Sequence, residues 1–282
     1  MRSVKMIVAA GAASLICSAA MAADMPIAPP PAYAPPPAED FGGWYLRGDI
    51  GFSNQQVKRL DNALDSTLLT QQQNLDFSSA GIFGLGVGYQ FNNWFRADVI
   101  GQYRGNSSFH GTDNNTFNNG GTIGYGADTY TATKSEWLVM ANAYADLGTW
   151  WCITPFVGAG IGGARVTIAN FTDQNVGSLF PPGSGVGPGT AYGDTASRWN
   201  LAWALHAGLA YKVNPNVTLE LAYSYLDLGK GMTGDLRSFD GTNNIYNPMT
   251  FKDITSHDVK LGVRWNFDSA PAYPAPVLMR KG

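Results

Sequence analysis

Asp258-Val259-Lys260-Leu261-Gly262-Val263-Arg264-Trp265-Asn266-Phe267 alternates without a break. Val259, Leu261, Val263, Trp265 and Phe267 fall on one side of an extended chain. Asp258, Lys260, Gly262, Arg264 and Asn266 fall on the other. Successive side chains of a strand point to opposite faces, so this segment has one greasy face and one polar or small face. The pattern recurs upstream. Val217, Leu219, Leu221, Tyr223 and Tyr225 alternate with Thr218, Glu220, Ala222 and Ser224. Trp199, Leu201, Trp203, Leu205, Ala207, Leu209 and Tyr211 alternate with Asn200, Ala202, Ala204, His206, Gly208, Ala210 and Lys212. Phe83, Leu85, Val87, Tyr89 and Phe91 alternate with Gly84, Gly86, Gly88 and Gln90, with Ile82 as the exception. A soluble ligand-holding barrel keeps its apolar face inside. Here the minor face carries charge and glycine, which points the bulky face outward into lipid.

Eight segments of this kind are expected, at 44–52, 80–91, 94–104, 135–147, 154–168, 197–212, 217–228 and 255–267. In the segment 135–147 Leu138 and Met140 share a face with Asn142 and Asp146, so it sorts less cleanly. Between the segments, long connections (53–79, 105–134, 169–196, 229–254) alternate with short ones (92–93, 148–153, 213–216). The short ones carry turn residues, Asn92-Asn93 and Asn214-Pro215-Asn216. This rhythm predicts an all-β fold: an eight-stranded antiparallel up-and-down transmembrane β-barrel with long extracellular loops and short periplasmic turns. An even strand count puts both ends of the barrel in the periplasm. In the first long connection Val57, Leu60, Leu64, Leu68 and Leu69 recur near helical spacing, which suits either a short amphipathic helix at the rim or loop packing.

The chain starts as an exported protein does. Arg2 and Lys5 precede an uncharged apolar run from Ile7 to Cys17, and Ala20-Met21-Ala22 offers small residues at a cleavage site after Ala22. The run is too short for a membrane-spanning helix, which needs about 20 apolar residues. Ile16 is too bulky for a lipoprotein signal at Cys17. Residues 1–22 therefore read as a Sec signal peptide, 23–42 as a proline-rich periplasmic linker, 43–267 as the barrel and 268–282 as a second proline-rich extension. Without the signal peptide 16 basic residues face 21 acidic ones, a net charge of −5. No basic patch remains to bind nucleic acid. Charged residues make up 14%, against roughly 25% in soluble domains. One cysteine stays, Cys152 in a predicted turn, so no internal disulfide is possible and a half-buried inert thiol is expected.

Several short runs then point to a family. Ala23-Asp24-Met25-Pro26, Gly43-Trp44-Tyr45 and Thr154-Pro155-Phe156-Val157-Gly158-Ala159-Gly160 resemble the porin-family small outer-membrane barrels of alphaproteobacteria, relatives of their major outer-membrane proteins and, more distantly, of the OmpA transmembrane domain. The ending Lys260-x-Gly262-x-x-Trp265-x-Phe267 resembles the terminal signal of such barrels. The resemblance implies that the barrel-assembly machinery reads it. Fifteen residues follow Phe267, where family members usually end. Outer-membrane lipid and lipopolysaccharide are the implied surroundings, with host or phage contacts at the loops.

The site residues follow from the faces. Arg47, Asp49, Arg96, Asp98, Glu220, Lys260 and Arg264 share the inward face. Eight strands leave an interior just wide enough for side chains, so these charges should pair as a plug; an ion path is the alternative. Trp44, Tyr89, Phe91, Trp94, Phe95, Trp150, Trp151, Tyr211 and Phe267 cluster near the predicted periplasmic ends, as an aromatic girdle does. The histidines are His110 in a loop, a lone inward His206, and His257 near the start of the last strand. No two stand at metal-ligand spacing. Some family relatives bind haem, which leaves haem capture at the loops as a further reading. Gly81-x-x-Gly84-x-Gly86-x-Gly88 and Gly158-x-Gly160-x-Gly162-Gly163 lie inside alternating segments, which argues against a nucleotide loop. No catalytic Ser/His/Asp group, cofactor site or metal site emerges, so the chain reads as a non-enzymatic envelope and surface-interaction protein. A narrow porin is the alternative, and the oligomeric state is open.

Overall fold

The alternating segments form one closed antiparallel ring in a computed structural model that describes residues 43–179, 185–243 and 245–267. In chain order come β1 (Gly43–Gln56), β2 (Arg59–Asp61), β3 (Leu68–Phe77), β4 (Ala80–Gln90), β5 (Phe95–Asn119), β6 (Thr122–Asp146) and β7 (Ile153–Leu179). Then follow β8 (Gly185–Gly193), β9 (Ala196–Lys212), β10 (Val217–Met232), β11 (Leu236–Ser238) and β12 (Thr250–Asn266). The ring is β1, β4, β5, β6, β7, β9, β10 and β12. β7 pairs with β9 and β12 with β1, which closes it. A closed ring satisfies every ladder hydrogen bond internally and leaves no edge in lipid. These eight staves match the eight expected segments. The signal peptide, the proline-rich linker and the C-terminal extension lie outside the described residues.

One end of the ring has tight turns, and their chemistry is that of asparagine. The Asn92 side chain accepts the amides of Trp94 and Phe95 at 3.0 and 2.7 Å. Asn214 does the same for Asn216 and Val217 at 2.9 and 2.8 Å. Such Asx turns replace backbone partners where strands reverse. The third turn carries Trp151 and Cys152 at positive φ. Cys152 is exposed there, not half-buried as expected, because the left-handed turn lifts it off the barrel.

Glycine in β4 has a packing role. A Cβ on Gly88 would fall on the Tyr45 ring, which lies across from it in the β1–β4 ladder. The glycine runs of β4 and β7 thus lie in strands, where small residues admit large neighbours.

The long connections differ most from expectation. Residues 105–134 and 169–196 are largely strand, not irregular loop. β5 and β6 each run 25 residues. They meet at Gly120 and Gly121, both at positive φ, as a two-residue hairpin turn requires. β3, β5, β6, β7, β8 and β11 pair in that order into a sheet that rises beyond the ring. The amphipathic helix considered for 53–79 does not form. That connection holds β2, a single 3-10 turn at Asp65–Thr67, and β3. Val57 and Leu60 are buried while Leu64 and Leu69 are exposed, so the apolar spacing reflects loop packing. The alternation Gln71, Gln73 and Leu75 against Thr70, Gln72 and Asn74 suits a strand, and β5 offers a free edge.

The bulky face of the staves points outward. Leu46, Ile50, Leu85, Val99, Val139, Ile161, Leu201, Leu205, Leu221 and Leu261 are all exposed. Soluble monomers rarely expose a continuous apolar band, and lipid is what covers it.

Gly88→Ala should destabilise the barrel by about 1–3 kcal/mol through overpacking against Tyr45. Gly101→Ala, whose Cβ would meet nothing closer than Leu85 O at 4.0 Å, should stay within about 0.5 kcal/mol. Urea unfolding from lipid vesicles measures both, and equal effects would contradict the inward placement of Gly88.

Candidate functional site

The lumen is filled in layers. Nearest the turn end lie Tyr45, Tyr144 and Phe156. The Arg96 guanidinium stacks on Tyr144 and Phe156, at 4.3 and 4.7 Å from the ring centres. Arg47 donates to Asp98 at 2.6 Å, to Asp49 at 3.1 Å and to the Tyr144 hydroxyl at 2.9 Å. Glu220 stands 3.2 Å from Arg96 and 3.6 Å from both Arg47 and Arg264. Arg96 also pairs with Asp146 at 3.2 Å. Lys260 is buried and lines a small void with Asp49. Four cations (Arg47, Arg96, Lys260, Arg264) thus share this layer with four carboxylates (Asp49, Asp98, Asp146, Glu220). Burying charge is tolerable only when it is matched, and here the count matches.

A second charged layer lies further toward the loop end. Arg104 grips Asp258 with both terminal nitrogens, at 3.1 and 2.5 Å. Ser256 donates to the same carboxylate, and Lys134 donates to Glu136 at 2.5 Å. Gln55 donates to Glu136 at 3.0 Å. This layer too is neutral. Among its ionised groups, Arg104, Lys134 and Glu136 were missed in the sequence, as was Asp146 below, and Asp258 was placed on the inward face without a partner. Parity would have found them. Arg104 lies an even number of residues from Arg96, and Lys134 and Glu136 from Asp146.

Apolar side chains fill the space between and above. Ile82, Ile100, Leu138, Met140 and Leu226 are buried on the inward face. This is why the segment 135–147 sorts poorly by sequence: one inward face changes from charged to apolar along its length. Above the second charged layer Phe77, Phe109 and Phe251 pack with ring centres 4.9–6.1 Å apart, and Phe171 joins at 6.1 Å from Phe251. Leu60, Met249 and Leu236 complete this cap.

His206 is not the partnerless histidine it resembles in the sequence. Its Nδ1 lies 2.8 Å from Ser224 Oγ and its Nε2 lies 3.2 Å from Asn142 Oδ1. Asn142 donates its amide to Asp98 at 2.8 Å, so its oxygen must accept from His206. That sets the tautomer: Nε2 carries the proton and Nδ1 accepts from Ser224. A hydroxyl, an imidazole and an amide in line resemble a hydrolytic arrangement. The adjoining void is about 10 Å3, room for one water and no substrate. The other histidines lie elsewhere. His110 is exposed on the rising sheet. His257 faces outward against the Tyr223 hydroxyl at 2.6 Å. Among the described residues no group of His, Cys, Asp or Glu is arranged to hold a metal.

Most of the turn-end aromatics are exposed, including Trp44, Phe91, Trp94, Trp150, Trp151, Tyr211 and Phe267. Trp44, Tyr89, Phe91, Phe95 and Trp94 form a run of touching rings. A second aromatic group, unnoticed in the sequence, lies toward the other end: Tyr103 against Trp137, and Trp203 against Tyr225, which packs in turn on His257, with Trp199 beyond. Trp199 and Tyr211 lie twelve residues apart on β9. That is about 40 Å of strand, or about 30 Å of height at a tilt near 40°, enough to flank an apolar band about 25 Å tall. No helix among the described residues is long and apolar enough to cross a membrane, so any crossing is made by strands.

The rising sheet has an acidic inner face. Asp113, Asp128 and Asp173 lie on neighbouring strands. Asp113 accepts from Gln71 and Gln73, and Asn115 donates to Asp128. Burial pushes Asp173 up to about 7, with help from Asp128 and Asp113. Burial and the neighbouring Asp113 push Asp128 up to about 6.

Comparison with known proteins agrees with this geometry. The family model for the outer membrane protein beta-barrel domain matches residues 9–267. An uncharacterized protein of Brucella abortus is 32% identical over 234 residues, covering 76% of this chain and 78% of its own. Outer membrane protein PagN of Salmonella typhimurium is 26% identical over 235 residues, covering 80% of this chain and 90% of its own. A putative adhesin of Rickettsia bellii is 28% identical over 226 residues, with coverages of 79% and 87%.

Glu220→Gln removes the carboxylate that three arginines share. It should cost about 3–5 kcal/mol in vesicle unfolding. Arg237→Ala, which loses an exposed pair with Asp194, should cost less than about 1 kcal/mol. Similar losses would contradict the layered charge balance. The rising sheet should respond to pH. Because the folded carboxyls of Asp173 and Asp128 lie above the unfolded value, ionising them opposes folding. Stability of the sheet should be greatest below about pH 4 and fall as pH rises through 6 and 7. Proteolysis of residues 107–131 at pH 5 and pH 8 reads this out. Asp173→Asn should flatten the dependence, and faster cleavage at pH 5 would refute it.

Proposed function

The chain belongs to the outer membrane protein beta-barrel domain family, and from that premise we propose that it is a closed envelope barrel whose function lies in surface contacts. The filled lumen carries this reading. Two neutral charged layers and a phenylalanine cap span the interior, and a solute would have to break ion pairs in a barrel too narrow to offer replacements. The alternative of a narrow porin needs a path that these side chains occupy.

In this reading the tight turns and both ends of the barrel face the periplasm after Sec export through residues 1–22, and the rising sheet faces out. The two aromatic groups sit at headgroup level, the outer one against lipopolysaccharide. The strand ending Lys260-x-Gly262-x-x-Trp265-x-Phe267 is the segment offered to the barrel-assembly machinery: Trp265 and Phe267 are exposed on the lipid side, and Lys260 points in. A relative named as a putative adhesin supports contact with host surfaces. It leaves the rising sheet, built from three long staves and three short strands, as the surface through which contact is made.

Single-channel recording in planar bilayers tests the closed lumen. The purified barrel should insert without a stable step current. A reproducible unitary conductance would favour the porin instead.

A further inference from the structure

The outer face of the rising sheet carries a groove of about 550 Å3, the size of a small-molecule site. It runs across four strands between two rows of side chains. One wall carries Thr70, Thr116 and Tyr125, aligned by the pairing of Thr70 with Thr116 and of Thr116 with Tyr125. The other carries Gln72, Asn114 and Val176, aligned in the same way through Ala127. The floor is the backbone of the row between them, Gln71, Asn115, Gly126 and Gly177, whose side-chain positions turn to the reverse face and leave the groove unfilled. Rows two residues apart on a strand stand about 7 Å apart, which admits one chain of sugar rings.

The lining fixes the class of ligand. It supplies hydroxyls, two carboxamides and an exposed tyrosine ring, with Tyr125 51% exposed. Carboxamides donate and accept at once, as a vicinal diol does, and an aromatic face covers the C–H face of a pyranose. Outward-facing residues from Asn74 to Thr70, Thr112 to Thr116, Tyr125 to Thr129 and Gln174 to Ser178 carry no charge. The reverse face of the same strands holds Asp113, Asp128 and Asp173. A sulfated or carboxylated glycan would find no cation there and would face carboxylates through the sheet.

We propose that this groove binds a neutral oligosaccharide. The assignment rests on the outward orientation of the sheet for its biological meaning, though binding itself does not. The test uses the full-length protein in nanodiscs, with maltohexaose and chitohexaose as neutral probes and a heparin-derived hexasaccharide as the charged one. Equilibrium dialysis should show binding of at least one neutral probe and none of the sulfated probe at equal concentration. Tyr125→Ala should weaken it by about 10-fold or more, and Val176→Arg should abolish it by filling the groove. Thr131→Ala, on the same face outside the groove, should leave it unchanged, and all three variants should keep the heat-dependent gel shift of a folded barrel. Failure of both neutral probes, equal binding of the sulfated probe, or indifference to Tyr125→Ala would overturn the proposal. Thr131→Cys in a Cys152→Ser background, labelled on whole cells with an impermeant maleimide, tests the orientation separately. Labelling failure with intact dialysis binding would count against the surface role and spare the site.

Discussion

Glu220 holds three arginines within 3.6 Å, and the interior is organised around the need to keep that group neutral. An eight-stranded ring fixes the lumen width, so every inward residue is a wall for some other one. A carboxylate placed there cannot be hydrated and must find cations. Arg47, Arg96 and Arg264 come from three staves, so the arrangement ties β1, β5 and β12 to β10. The second layer repeats this with Arg104, Lys134, Glu136 and Asp258. Between the two, apolar side chains separate the charges. Above them, phenylalanines keep out water. The small residues of β4 and β7 follow from the same crowding, since Tyr45 and Tyr144 need room.

The barrel was legible in the sequence because lipid enforces a strict rule on one face. Val259, Leu261, Val263 and Trp265 must all be greasy, and the period of two survives in the letters. The lumen obeys no such rule. Its residues need only fill space and balance charge, so its inward row passes from Asp146 and Asn142 to Met140 and Leu138, then to Glu136 and Lys134. Parity still tells which residues point in. It does not tell which charge meets which, and the partners of His206 come from strands far apart in sequence.

The rising sheet was hidden for another reason. Threonine, asparagine, glutamine and glycine serve equally in mobile loops and in polar strands with water on one face. Asn119-Gly120-Gly121-Thr122 carried the one local signal, a hairpin turn between segments that lack greasy alternation. The leucines of 60–69 gave an opposite and misleading hint. Their spacing reflects burial of Val57 and Leu60 in the apolar cluster that includes Phe251, not a helical face. A sheet built this way presents a polar outer surface that the membrane does not constrain, which leaves it free to carry recognition.

A closed barrel requires a dry, neutral lumen capped at the end opposite the tight turns. Water-edited solid-state NMR in lipid vesicles addresses that most directly, by timing magnetisation transfer from mobile water to individual side chains. In a closed barrel transfer is slow to the Arg104 guanidinium and the Phe251 ring, both buried, and rapid to the exposed Arg237. Transfer to Arg104 as fast as to Arg237 would mean that water reaches the second charged layer, and the closed barrel would be wrong.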